Sequence, residues 1–301
     1  MKRALVLRSG IQETSLPQID GACADGLLAI RAQYRMGFGM RTHLFEWEDQ
    51  AWFPASLRAA MTSYLAATYG ITPFPSLWAV HLGKLMSRDV VTEIVDLGSG
   101  SGGPVGRVVK ELGERGFKTR ITLTDLYPNA SGVDIPPDGA GSIRYWPAPV
   151  DATSVPAELS GIRTMFASFH HFQPEPARRI LRDAFEQRRA ICIFEATSRT
   201  PGAITSTVLI PFLVLVLTPI VRPLSWVQIL FTYLLPILPL LIFWDGLVSQ
   251  LRTYSVRELQ EFTRDLESSS YRWEAGLIAV PHTPVGVPYL VGRPLASSRA
   301  I

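Results

Sequence analysis

An apolar run, Ile94-Val95-Asp96-Leu97, ends at a turn carrying Gly98, Gly100, Gly102 and Gly103, and Val105 to Leu112 beyond it has the spacing of a helix closed by Gly113 and Gly116. Glycines at a strand-to-helix turn let the backbone pass close to a ligand with no side chain in the way. The helix that follows presents free N–H groups and a partial positive charge at its start. A chain built around such a turn is expected to alternate strands with helices and to bind its ligand at the carboxyl ends of the strands.

The alternation continues downstream. Arg120 to Thr124 reads as a second strand ending at Asp125, and Arg144-Tyr145-Trp146 with Ala148 and Val150 as a third ending at Asp151. Thr164 to Ser168 is a fourth, followed by Phe169-His170-His171-Phe172, then a helix from Pro176 to Gln187. Ala190 to Phe194 is a fifth, ending at Glu195. This spacing predicts a parallel sheet covered on both faces. Ahead of it, residues 26–90 form a helical cap. Leu57, Met61, Tyr64 and Leu65 share one helix face, Pro54 precedes them at a position a helix start tolerates, and Pro73 and Pro75 separate this helix from a second through Leu77, Val80, Leu82 and Leu85. Residues 1–25 show no period and are expected to be flexible.

The core then splits. The methyl-rich stretch 203–244 divides residues 91–202 from 245–301, and between Ala203 and Trp244 the only charged residue is Arg222. At about 1.5 Å per residue, Ala203 to Val221 would reach roughly 28 Å and Leu224 to Trp244 roughly 31 Å, each matching a bilayer core of about 30 Å. The sequence therefore predicts a transmembrane hairpin whose two ends emerge on the same side. Five prolines (Pro211, Pro219, Pro223, Pro236, Pro239) also suit a re-entrant hairpin in one leaflet, and a soluble apolar lid is a third reading. Arg199 before the hairpin and Arg252 and Arg257 after it favour a cytoplasmic catalytic side. Beyond it, Ser255 and Glu258 resemble a capping box, and Ala275 to Val280 and Val287 to Val291 read as closing strands.

Composition narrows the function. A net charge of +3 with no basic run argues against nucleic acid as a partner, while 47% apolar residues and a mean hydropathy of +0.18 fit a protein with a membrane part. The two cysteines, Cys23 and Cys192, fit a reducing compartment, and no Cys/His cluster has zinc spacing, so no metal is expected. The N-terminus lacks a sustained apolar run, so a cleaved signal peptide is not expected. Nothing in the sequence speaks to oligomeric state.

Gly98-x-Gly100-x-x-Gly103 with Asp125 downstream also fits a dinucleotide fingerprint, so the turn alone leaves an NAD-dependent oxidoreductase open. Residues 91–200, however, resemble the class I (Rossmann-like) S-adenosylmethionine-dependent methyltransferases. Val95 through Gly102 match that family's first motif, with Asp96 ahead of the first glycine. The resemblance implies an α/β fold with a seven-stranded, mostly parallel sheet closed by an antiparallel strand, here with the helical cap and the inserted hydrophobic hairpin. It implies S-adenosylmethionine as cofactor. Asp96 would face its methionine end, Gly98, Ser99, Gly100 and Gly102 would pack beside it, and Asp125, with Leu126 following, would hold the ribose. Asp151 and Ala152 would contact adenine, and Ser168 and Phe169 would border the fourth motif. The sequence departs from the family at Thr164, where many members carry an acid.

Methyl transfer is an in-line displacement at a carbon on a sulfonium, so the protein mainly aligns the reactants. An oxygen nucleophile also benefits from proton removal, for which His170 and His171 are the candidate catalytic residues. Phe169, Phe172, Trp47, Trp52 and Phe53 are candidate aromatic faces for the sulfonium. A hairpin leaving the ligand-binding edge of the sheet favours a small lipophilic acceptor, with O-methylation the first expectation and the bilayer a partner. A membrane-tethered protein that binds the cofactor without catalysis is the reading from another class.

Overall fold

The computed structural model describes residues 39–128 and 141–295. The expected flexible residues 1–25, the start of the cap and Cys23 lie outside the described residues. Seven strands form one sheet: β1 (Thr92–Leu97), β2 (Thr119–Thr124), β3 (Gly141–Tyr145), β4 (Ile162–Phe166), β5 (Ile191–Phe194), β6 (Tyr271–Ala279) and β7 (Gly286–Pro294). Their order is β3-β2-β1-β4-β5-β7-β6. The first five are parallel, and β7 lies antiparallel between β5 and β6. This is the sheet that the methyltransferase resemblance implies. The order reverses between β1 and β4, which puts a crevice at the carboxyl ends of those strands.

Both faces are covered, as the unbroken apolar strands require. On one face Val95, Leu97, Met165 and Ile193 meet the helix Pro174–Glu186 through Ala177, Ile180, Leu181 and Ala184. Those four positions share one stripe at helical spacing. On the other face Ile94, Ile121, Leu123 and Phe194 meet the helix Val105–Glu114 through Val105, Val108, Val109 and Leu112. Trp78 and Leu82 of the helix Phe74–Gly83 close that side with no exposed surface. Truncating a core leucine such as Leu112 would cost about 2–5 kcal/mol.

The third strand ends earlier than its sequence implies. Trp146 still donates to the Leu123 carbonyl at 2.9 Å, but Pro147 and Pro149 offer no N–H to the ladder, so the chain leaves the sheet before Val150. The cap also differs at its start. Helix runs from Ala55 to Ile71 and from Phe74 to Gly83, whereas residues 39–53 form an irregular strap without helix.

The insert is not a pair of straight helices. Its first leg is one helix, Pro201–Ile220, long and apolar enough to cross a membrane. The second leg breaks between Trp226–Leu234 and Ile237–Arg252, which meet at 89°. Pro236 and Pro239 explain the break, because each removes a backbone donor and its ring crowds the preceding turn. The last helix also runs past Trp244 to Arg252, because the strap supplies partners for its polar residues. Phe53, Met61 and Tyr64 of the strap and first helix pack with Val214, Leu217 and Leu238 of the insert in a third apolar cluster.

Candidate active site

The glycine turn has the conformation its sequence requires. Gly98, Gly100, Gly102 and Gly103 have φ of +65°, +52°, +91° and +44°, a region other residues adopt at a cost. Among the described residues, a side chain at Gly100 or Gly103 would meet no atom within 4 Å. Backbone geometry rather than packing against those residues favours the glycines there.

Asp96 anchors the turn from below. It is 2% exposed, accepts from the Ser99 hydroxyl at 2.6 Å and from the Thr164 hydroxyl at 2.7 Å, and sits beside Thr164 in the sheet register. Burial pushes its carboxyl up to about 7, with those two hydrogen bonds opposing the rise and Asp125 adding to it. This explains the departure at Thr164. An acid there would set a second carboxylate against a buried one, whereas a hydroxyl donates to it.

Asp125 stands across the turn. Its carboxylate accepts from the Gly100 N–H at 2.8 Å and from the Tyr127 N–H at 2.9 Å. The Val150 N–H donates to the Asp125 carbonyl at 2.9 Å, which brings Asp151 to the same edge. Leu126 beside it is 49% exposed, an unusual placement for leucine and a flat apolar surface at the crevice. Asp151 is exposed and its carboxylate accepts from the Thr153 N–H at 2.8 Å, while the Ala152 side chain is buried against Val95 and Leu97. Of the expected adenine pair, only Asp151 is exposed.

The end of β4 holds the second half of the site. Ala167 has φ of +49°, a strained value for a residue with a Cβ. Ser168 follows with its hydroxyl buried and without a hydrogen-bond partner among the described residues, 3.8 Å from where a Gly98 side chain would begin. The Phe169 ring turns away into the core, 5.5 Å from the Tyr254 ring, so only its backbone reaches the site. His170 is 3% exposed. Its Nδ1 lies 2.8 Å from one Glu195 oxygen and its backbone N–H donates to the other at 3.0 Å. Nε2 is buried and has no partner among the described residues. A carboxylate on Nδ1 fixes the proton there and leaves a lone pair on Nε2, the arrangement of a general base.

His171 plays a different part. Its ring lies 4.3 Å from that of His170, but its Nδ1 faces Asp49 at 3.1 Å and Glu46 at 3.4 Å. Burial alone would lower its pKa, and the two carboxylates outweigh that and raise it to about 9. Arg252 completes the group, 2.7 Å from Asp49 and 3.3 Å from Glu46. Ligand atoms of Glu46, His170 and His171 lie within 4.8 Å of one another, the spacing of a metal set, yet the Arg252 guanidinium stands against two of the three and supplies the positive charge.

Arg41 ties this group to the turn that carries His170. It donates to the carbonyls of His170 at 2.8 Å and Phe172 at 3.0 Å, bonds the Arg252 carbonyl, and lies 4.1 Å from the centre of the Tyr254 ring. Tyr69 reaches the site from the first helix: burial, and then the charges of Glu195 and Glu48, push its hydroxyl well above the usual range. The aromatic expectation is corrected for the strap. Trp47, Trp52 and Phe53 meet one another edge-on or tilted at 5.9–6.4 Å, Trp47 and Phe53 pack against the insert while Trp52 is exposed, and Phe172 packs on the core.

Sequence reasoning missed Arg41, Glu46, Asp49 and Arg252. The close run of acids Glu46, Glu48 and Asp49 inside an aromatic stretch was the available signal. An open hollow lined by Gly83, Arg88 and Phe117 lies at the opposite, amino ends of β1 and β2, away from this chemistry.

No protein-family model and no curated protein sequence matches the chain. Among solved structures it is similar to the plantazolicin methyltransferase BpumL in complex with SAH, at 11% identity over 91% of this chain and 99% of that one, with a TM-score of 0.49. It is also similar to TnmH, at 20% identity over 91% and 70% with a TM-score of 0.45. An O-methyltransferase family protein from Burkholderia thailandensis matches at 12% identity over 92% and 70% with a TM-score of 0.46. At these identities the likeness is one of chain path, and what the site can bind follows from its own residues. By strand order and by the conformation of its glycine turn, the chain has the fold of the class I methyltransferases.

Proposed function

We propose that the protein transfers a methyl group from S-adenosylmethionine to a hydroxyl of a small lipophilic acceptor. The observation that carries this reading is the His170–Glu195 pair. It leaves a buried Nε2 with no partner among the described residues, two positions past Ser168, whose hydroxyl is likewise unpartnered and borders Gly98 of the glycine turn. When bound, the cofactor supplies an electrophilic methyl on a sulfonium. The chain supplies the rest. The turn Gly98–Gly103 would lie against the cofactor with bare backbone, and Asp125, held at the turn by the Gly100 and Tyr127 N–H groups, would accept from its ribose hydroxyls. Leu126 and Asp151 would flank the adenine, and the Ser168 hydroxyl would be a donor where the first and fourth strands end.

His170 takes the acceptor proton on Nε2 while Glu195 holds Nδ1–H and stabilises the imidazolium that forms. Such proton removal contributes about 10²–10⁴ in rate. His171, already charged at neutral pH, serves as a fixed cation between Asp49 and Glu46 rather than as the base.

The lipophilic character of the acceptor is supported by the insert, which follows the strand that ends before Glu195 and exposes Phe212, Val216 and Leu240. A bilayer partner, with the catalytic domain on the cytoplasmic side, follows from the same surface and from Arg199, Arg252 and Arg257 in its flanks. In the fold, Arg199 and Arg252 are held in ion pairs with Glu258 and Asp49, so orientation would be set during insertion.

The test is labelled methyl transfer to membrane extracts and to water-soluble hydroxyl compounds, with wild type and His170→Ala. Label in the lipid fraction that His170→Ala abolishes supports the reading. Turnover of water-soluble acceptors alone removes the lipophilic assignment, and binding without turnover on any acceptor favours a cofactor-binding protein.

A further inference from the structure

We infer that the insert seats in a single bilayer leaflet, with its tip at mid-membrane, and does not cross. This rests on the reading above that the insert meets lipid, and it adds the depth, the residues and the height of the active site over the surface.

The unit is apolar outside and polar inside. Phe212, Val216, Trp226, Leu234 and Leu240 are each 62–73% exposed, whereas Thr207, Thr218, Gln228 and Thr232 are at most 2% exposed. The Tyr64 hydroxyl bonds both Thr218 at 2.6 Å and Thr232 at 3.0 Å. Water would favour the reverse arrangement, while hydrocarbon demands that hydroxyls pair within the protein.

The strap sets the depth. Asp245 accepts from the backbone N–H groups of Trp47 at 2.8 Å and Glu48 at 3.1 Å, and one turn on, Ser249 donates to Glu46 at 3.0 Å. With Asp49 and Arg252 these groups form a charged level that stays outside hydrocarbon. From Ile237 to Trp244 the second leg has only eight residues beyond that level, about 12 Å. The first leg is level with it at Ile210, whose Cδ1 lies 2.7 Å from where a Gly246 side chain would begin, so the stretch 211–220 adds about 15 Å. Both lengths match half of a hydrocarbon core of about 30 Å and fall short of the whole.

The segment Trp226–Leu234, at 89° to its neighbour, then lies across the tip with Trp226, Ile229 and Tyr233 outward. Arg222 at the tip gives its guanidinium to the carbonyls of Pro219 and Val221, both at 2.9 Å, which replaces part of its lost water. The strap, and His170 beneath it, sit at headgroup height, so an acceptor dissolved in the leaflet reaches the base without leaving lipid.

The experiment uses the full chain with Leu224→Cys at the tip and, separately, Thr42→Cys on the strap, both in a Cys23→Ser background. Cys192 is buried and stays unlabelled. Each is bound to phosphatidylcholine–phosphatidylglycerol vesicles and treated with a membrane-impermeant maleimide added outside or trapped in the lumen. A single-leaflet seat predicts that vesicles slow labelling at 224 by tenfold or more from both sides until detergent is added, while position 42 stays reactive from outside. Labelling of 224 from the lumen shows a full span, and unchanged labelling from outside shows a water-facing lid. Protection of 224 without vesicles shows a second copy over the same face. Each of these three overturns the inference. Calorimetry with S-adenosylmethionine on the same proteins separates this from failure of the methyltransferase reading, because retained binding with an exposed tip removes only the membrane seat.

Discussion

Glu195 holds His170 twice, by Nδ1 at 2.8 Å and by the backbone N–H at 3.0 Å, so one carboxylate fixes both the ring and the turn that carries it. Replacing Glu195 with Gln keeps the size but offers an N–H to a nitrogen that needs an acceptor. Glu195→Gln and His170→Ala are therefore each expected to lower turnover by about 10²–10⁴, with affinity for S-adenosylmethionine unchanged. Single-turnover rates beside calorimetry check this. A loss of affinity with normal turnover would assign the pair to the cofactor instead.

Asp125 has its carboxylate on the Gly100 N–H, at the open side of the turn. Asp125→Ala removes the charged acceptor for two ribose hydroxyls, a loss of about 1.5–3 kcal/mol, or roughly 10- to 100-fold in dissociation constant. Asp125→Asn should fall between. An equal affinity in all three proteins would place the ribose elsewhere.

His171 is expected to titrate near pH 9 because Glu46 and Asp49 outweigh its burial. Its folded value lies above the ordinary value of about 6.5. The stability it contributes is thus fully present below about 6.5 and is lost as pH rises through about 9. Asp49 shifts the other way: burial would raise it, but His171 and Arg252 hold it below the usual carboxylate range. Its contribution is present above about pH 4 and is lost in acid. Urea midpoints across this range, with Asp49→Asn as comparison, and imidazole NMR of His171 test both signs. A His171 midpoint near 6.5 would contradict the arrangement.

Arg163 is fully buried in β4 and its guanidinium lies 2.7 Å from Asp183 on the helix Pro174–Glu186. Asp183→Ala leaves that charge buried and unpaired, at a cost of about 3–5 kcal/mol. Arg163→Met with Asp183→Ala should recover much of it, since replacing both partners by apolar groups is often near neutral. Chemical denaturation of the two variants decides. Equal losses would mean that the pair is not coupled.

The parts of the fold legible in the sequence are those where short-range rules decide. The five parallel strands and the helices Val105–Glu114 and Pro174–Glu186 follow from apolar runs and stripes. The capping box of Ser255 and Glu258 forms as its spacing implies. The glycine turn, Asp96 and Asp125 meet because each ends a neighbouring parallel strand. What stayed hidden depends on contacts between distant segments. Nothing local in Arg41, Glu46 or Asp49 announces that they will lie against Arg252, some two hundred residues away, or brace the turn of His170. The period of a helix likewise does not reveal that Pro236 and Pro239 will turn the second leg by 89°. Phe169 follows a strand end and so reads as facing the cofactor, but the tight turn Phe169–His171 buries its ring in the core and buries His170 against Glu195.

Titration calorimetry of the purified chain with S-adenosylmethionine, beside NADH and the Asp125→Ala variant, addresses the main claim most directly. The site described here predicts saturable binding of the sulfonium nucleoside, weakened at least tenfold in the variant, and no heat with NADH. No binding of S-adenosylmethionine, or binding of NADH in its place, would contradict it.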